Sequence, residues 1–170
     1  AAAYEKLLGA AANEEEKAII LAEQSAFKEW IEEYGAYLRM NHPDATDMVS
    51  DEVTSQLWRH SAALCRLSQP ATEAETLTGL TVEAASASPD RCVREETITE
   101  KDSLVNDLFV ASDTGRRGLI NAEHEAFERW LDAYRALLEL KRADTPESVP
   151  SLMTEALMDY TIDRCSDIGD

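Results

Sequence analysis

The sequence predicts an all-α helical bundle, and three observations predict it. Residues 22–40 recur as residues 122–140 in ungapped register, so that Trp30 falls on Trp130 at an offset of 130 − 30 = 100. Apolar residues in both copies return at the helical period of about 100° per residue. The composition is 44% hydrophobic but only 6% aromatic and rich in alanine, which suits close helix packing, and no long stretch alternates as a half-buried strand would.

The duplication extends well beyond its best stretch. Ile20, Ala22, Glu23, Ala26, Phe27, Trp30, Tyr34, Ala36, Leu38 and Asp44 are each identical to the residue 100 positions later, and Val49, Thr54, Leu57 and Cys65 match Val149, Thr154, Leu157 and Cys165. The repeated unit is therefore a helical hairpin, expected over residues 13–68 and 113–168 and joined by a helical segment at 69–112. Each hairpin alone cannot bury its own Phe-Trp-Tyr stripe. A single domain over residues 1–170, with the two hairpins related by a pseudo-twofold around one shared core, is the expected packing.

The first long helix begins at Asn13, which with Glu16 forms a capping-box pattern; Asp113 stands at the matching place in the second copy. One face then carries Ile20, Phe27, Ile31, Tyr34 and Leu38, flanked by Ile19, Trp30 and Tyr37. Its counterpart carries Ile120, Phe127, Leu131, Tyr134 and Leu138, flanked by Leu119, Trp130 and Leu137. Phe27, Trp30 and Tyr34 with Phe127, Trp130 and Tyr134 are thus the expected repeat core.

Breaks follow at residues 41–47, containing Pro43, and at 143–147, containing Pro146. A second helix follows each break, with Val53, Leu57, His60 and Leu64 on its apolar face in one copy and Met153, Leu157 and Tyr160 in the other. The pairing of His60 with Tyr160 suggests a half-buried polar aromatic position rather than a ligand. Beyond Pro70, Thr72 with Glu75, or Thr76, caps a third segment through Leu77, Leu80 and Ala84; Thr97 with Glu100 caps a fourth carrying Leu104, Val105, Leu108 and Phe109. Residues 4–11 read as the end of an equivalent of that fourth helix.

Pro70-Ala71-Thr72, then Thr76-Leu77-Thr78-Gly79-Leu80 with Ala84-Ala85, and later Ser103-Leu104-Val105-Asn106-Asp107-Leu108 resemble the signature segments of an uncharacterised family of helical proteins. Its members are widespread in alphaproteobacterial genomes, often beside prophage or plasmid genes. The chain departs from that signature at Thr78 and Thr81, where the family tends to Ala and Arg. The resemblance implies a helical fold and brings no activity with it.

With 34 acidic and 16 basic residues the net charge is −18. So acidic a chain is expected to bind neither nucleic acid nor an anionic membrane directly. The absence of a run of about 18 apolar residues and of a signal-peptide pattern predicts no membrane span and no export. Cys65, Cys92 and Cys165 form no CxxC pair and leave one unpaired, as expected of a reducing cytoplasm. Cys65 and Cys165 occupy equivalent positions and read first as small apolar helix residues.

The sharpest chemical feature is Glu23, in the middle of the apolar stripe and repeated as Glu123. A carboxylate there needs a partner. The two could meet as a metal-binding or acid/base pair, or each could accept hydrogen bonds from a Trp, Tyr or Arg of a neighbouring helix; the second reading is preferred. Glu-x-x-His pairs of helical di-metal sites are missing, and His124, whose counterpart is Gln24, stands as a lone histidine. Phosphate loops, nucleotide-binding glycine fingerprints, HExxH and GxSxG are missing too. The expectation is a protein-interaction or assembly module, engaging a protein partner or a second copy of itself, with no catalytic, cofactor or metal site. The alternative is an acidic mimic of nucleic acid that blocks a basic nucleic-acid-binding enzyme.

Overall fold

The computed structural model describes residues 2–73, 75, 102–103, 105–106, 109–110 and 112–168, with the backbone alone at 162 and 164–168. Among them lie five helices and no strand: α1 (Ala2–Gly9), α2 (Glu14–Asn41), α3 (Thr46–Leu67), α4 (Thr114–Lys141) and α5 (Ser148–Ile168). Helices α2 and α4 are each 28 residues long, and their ends stand 100 positions apart.

Side-chain caps set where both long helices begin. Asn13 Oδ1 accepts the Glu16 N–H at 2.9 Å, and the Glu16 carboxylate reaches back to the Ala12 N–H at 2.9 Å, one residue before the usual capping-box donor. Asp113 Oδ1 accepts the Arg116 N–H at 2.9 Å, and that bond holds its carboxyl below the usual aspartate range. Asp113 thus stabilises the fold at neutral pH, and its contribution is lost as pH falls through the lowered pKa. Both helices close on the same pattern, with the His42 N–H donated to Leu38 O at 2.9 Å and the Arg142 N–H to Leu138 O at 2.8 Å. The first break is thus shorter than residues 41–47, since α2 includes Asn41 and α3 starts at Thr46.

Helices α2 and α4 pack along each other at the centre, α3 lies against α2, α5 lies against α4, and α1 covers α2 and α3. The contacts of α2 with α4 run in opposite chain directions: Trp30 meets Phe127, and Phe27 meets Trp130. Ile20, Phe27, Trp30, Tyr34, Tyr37 and Leu38 of α2 are buried against Ile120, Phe127, Trp130, Leu131, Tyr134, Leu137 and Leu138 of α4. Burying one such large side chain contributes about 1.5–3 kcal/mol, so this interface supplies much of the gross stabilisation.

Three expectations require correction. The inward face of α3 runs through Val49, Gln56, His60, Leu64 and Leu67, which turns Leu57 outward to 47% exposure although Leu157 on α5 is 3% exposed. Cys65 follows Leu64 by one residue on the same helix and is likewise exposed. His60 and Tyr160 are buried rather than half-buried. Thr72 Oγ1 accepts the Glu75 N–H at 3.2 Å, as a cap would, but Leu77, Leu80, Ala84, Cys92, Thr97, Leu104 and Leu108 lie outside the described residues. Val105 is buried and Phe109 packs against the core.

A buried ion pair clasps the far end of the bundle. Arg142, just past α4, is 2% exposed and donates through Nε to Glu75 Oε2 at 3.0 Å, while its other nitrogens reach Gln69 O at 3.1 Å and Arg66 O at 3.2 Å. The C-terminal carbonyls of α3 are thereby tied to α4. Arg142→Ala would leave Glu75 with the longer Arg66 ion pair, 3.5 Å from Nε to Oε1, and is expected to cost about 2–3 kcal/mol in urea unfolding. A loss below about 1 kcal/mol would show that the clasp is not formed in solution.

Candidate functional site

Glu23 on α2 and Glu123 on α4 are 0% and 2% exposed, in the centre of the α2/α4 contact. The Trp30 indole Nε1–H is donated to Glu123 Oε1 at 2.7 Å, and the Trp130 Nε1–H to Glu23 Oε1 at 2.8 Å. Each central helix thus supplies the donor for the other's carboxylate. A second donor comes from an outer helix in each case: Tyr4 of α1 to Glu23 Oε2 at 2.5 Å, and Tyr160 of α5 to Glu123 Oε2 at 2.9 Å. Burial, and then the Glu23 charge, push the Tyr4 hydroxyl well above the usual tyrosine range, so it stays protonated as a donor.

The aromatic rings between these carboxylates form one continuous stack. Trp30 and Trp130 lie nearly parallel, 11° apart with centroids at 5.0 Å; Tyr34 stacks on Trp30 and Tyr134 on Trp130. Phe27 and Phe127 meet the tryptophans at steep angles and carry their own stacked partners, His60 on Phe27 at 3.6 Å and Tyr160 on Phe127 at 3.7 Å. All six residues read from the sequence as repeat core are buried here. Burial also holds the Tyr134 hydroxyl above the usual range.

His60 is closer to the carboxylate chemistry than its pairing with Tyr160 suggested. Its Nε2 lies 2.8 Å from the Tyr4 oxygen and 3.2 Å from Glu23 Oε1. With the Tyr4 hydrogen given to Glu23, both neighbours of that nitrogen are acceptors, so the network assigns a hydrogen to His60 Nε2. Each glutamate is wrapped by N–H and O–H donors, an arrangement that holds a buried carboxylate in place.

His124 has company that the sequence comparison missed. Ligand atoms of Asp102, His124 and Glu128 lie within 4.8 Å of one another, with Asp102 exposed and the other two half-buried on α4. This trio is the described group that could hold a cation. The spacing of His124 and Glu128, four apart on one helix face, is visible in the sequence; Asp102, from outside α4, is not.

Two surface features complete the inventory. Helix α3 turns Thr54, Leu57, Trp58, Ser61 and Cys65 outward, an uncharged row in which Trp58 is 74% exposed. Between α3 and α5 a cavity opens over the aromatic stack, bounded at one end by Arg59 and Gln56 bonded to Asp163 and at the other by Arg66 bonded to Glu155.

The network makes a quantitative prediction. Removing the Glu23 carboxylate as Glu23→Leu leaves the Trp130 N–H without its acceptor and Tyr4 with His60 Nε2 alone, and is expected to cost about 1–3 kcal/mol. In a double-mutant cycle, Glu23→Leu with Trp130→Phe should show a coupling of about 1–3 kcal/mol, whereas additive losses would contradict the bond. No protein-family model, curated protein or solved structure matches this chain.

Proposed function

We propose that the chain is a protein-interaction module without catalytic chemistry: an internally duplicated helical bundle of one domain, acting in the cytoplasm. In this reading the repeats at 13–68 and 113–168 are related by a pseudo-twofold, which the reciprocal Trp–Glu bonds and the 100-residue offset of α2 and α4 support. The observation that carries the functional reading is the outward face of α3. On a chain that is 29% charged with net charge −18, an uncharged row from Thr54 to Cys65 centred on an exposed tryptophan has the composition of an interface core. Exposed tryptophan is also the residue type most enriched among interface hot spots.

The partner's chemistry follows from charge. Two copies would each bring −18, so a second copy meets repulsion that a basic partner does not. The favoured occupant is a different protein with an apolar centre and a basic rim. The second reading, an acidic mimic of nucleic acid, draws on the same net charge; there the acidic surface makes the contact and Trp58 is dispensable. Membership of the alphaproteobacterial family that the sequence resembles would place such a blocker beside prophage genes.

Capture from a bacterial lysate, paired with light scattering, separates the two. Trp58→Ala should leave helix content unchanged, because the side chain is mostly in solvent, and weaken capture about 30-fold or more, as expected for a hot spot worth about 2 kcal/mol. Capture that is indifferent to Trp58→Ala, abolished by 0.5 M salt (an ionic strength of order Debye screening below about 5 Å) and competed off by duplex DNA would favour the mimic and overturn the module.

A further inference from the structure

The cavity between α3 and α5 measures about 380 Å³, within the roughly 300–1,000 Å³ of small-molecule sites. Its floor is the aromatic centre, with Phe27, Trp30, Phe127 and Trp130 all contributing. The facing walls are small at mid-length: Ala62 and Ala63 on α3, Ala156 on α5. Alanines at these places would allow the two helices to close on one another. Instead the side-chain bridges from Arg59 to Asp163 and from Arg66 to Glu155 span the gap at both ends and leave the middle open.

Among the described residues the lining carries two guanidiniums, Arg59 and Arg66, and two carboxylates, Glu155 and Asp159, with Asp163 just outside it; Arg59 is bonded to Asp163 and Arg66 to Glu155, which leaves Asp159 as the lining carboxylate not bridged to either guanidinium. Directly behind the tryptophan floor, Glu23 and Glu123 are held by neutral indole and phenol donors, with the His60 imidazole beside Glu23. Asp159 lines the open middle, where burial raises its pKa, Arg59 opposes that, and Asp163 and Glu155 reinforce it. An aromatic floor beside a carboxylate that neither bridge engages suits a ligand with an apolar body and a positive end.

We propose that this cavity is a binding site for a small organic cation, an amine or quaternary ammonium on an aromatic or apolar body of about two rings, lying on the Trp30 and Trp130 edges with its charge toward Asp159. The site is distinct from the outward face of α3, since Trp58 does not line it. It therefore stands or falls separately from the interaction reading.

The test uses the full chain and three probes of one shape: 1-naphthylmethylammonium, 1-naphthylmethanol and 1-naphthoate, titrated by calorimetry at low salt. The cation should bind saturably with one-to-one stoichiometry, about tenfold more tightly than the neutral alcohol and more tightly still than the anion. Asp159→Asn should weaken the cation about fivefold and leave the alcohol unchanged. Ala63→Phe and, from the opposite wall, Ala156→Leu should each abolish binding of all three while circular dichroism shows the same helix content. The proposal is overturned by no saturable binding of the cation, by an alcohol or carboxylate that binds as tightly, or by cation binding that survives both cavity-filling variants in the folded protein.

Discussion

Two buried carboxylates constrain everything around them. An ionised glutamate removed from water is costly unless its oxygens are hydrogen-bonded, and Glu23 and Glu123 lie on the buried faces of α2 and α4, far from solvent. Their donors come from other helices: Trp130 and Tyr4 for Glu23, Trp30 and Tyr160 for Glu123. The pairing fixes the register of α2 against α4, because sliding either helix by one turn would separate both indoles from both carboxylates. It also draws α1 and α5 onto the central pair. Helix α3 joins through His60, whose ring stacks on Phe27 while its Nε2 lies beside Glu23 and Tyr4. The cost of burying charge is thus converted into specificity of packing.

The two halves solve the same problem with different side chains. Tyr160 both stacks on Phe127 and reaches Glu123 with its hydroxyl. At the matching place His60 keeps the stack on Phe27 but is a shorter ring, and the hydroxyl that Glu23 needs comes from Tyr4 on α1. A similar divergence appears on the outside: Trp58 on α3 and Met158 on α5 are both exposed, at 74% and 49%. At the hairpin turns, His42 and Arg142 occupy matching positions, yet Arg142 is the one buried against Glu75. The two halves share the frame of long helix, Trp–Glu bond and stacked ring, and differ in which side chain completes it.

Much of this frame was legible in the sequence, and the reasons differ by residue. The ungapped offset and the helical period placed α2, α4 and their stripes, since amphipathic spacing records which face is buried. Asn13 and Asp113 were readable as caps because capping is local chemistry between residues three apart. Glu23 and Glu123 stood out as charges inside an apolar stripe, but not the identity of their donors, of which the two indoles sit 93 and 107 residues away in the chain. Leu57 was misplaced because a period estimated from few apolar residues tolerates an error of one position, about 100° on a helix. The cavity and the Asp102–His124–Glu128 group arise only when separate helices are assembled, and no periodicity encodes them.

The reciprocal bonds have a signature that needs no substitution. The chain has three tryptophans, and their indole N–H groups can be followed individually by hydrogen exchange in nitrogen-15 spectra. Trp30 and Trp130 are buried with their N–H groups bonded to carboxylates, whereas Trp58 is mostly in solvent. Two indole signals should therefore exchange slowly, at rates set by opening of the fold, and one at nearly the rate of free indole. Three fast signals, or a slow Trp58 beside a fast Trp30 or Trp130, would contradict the account.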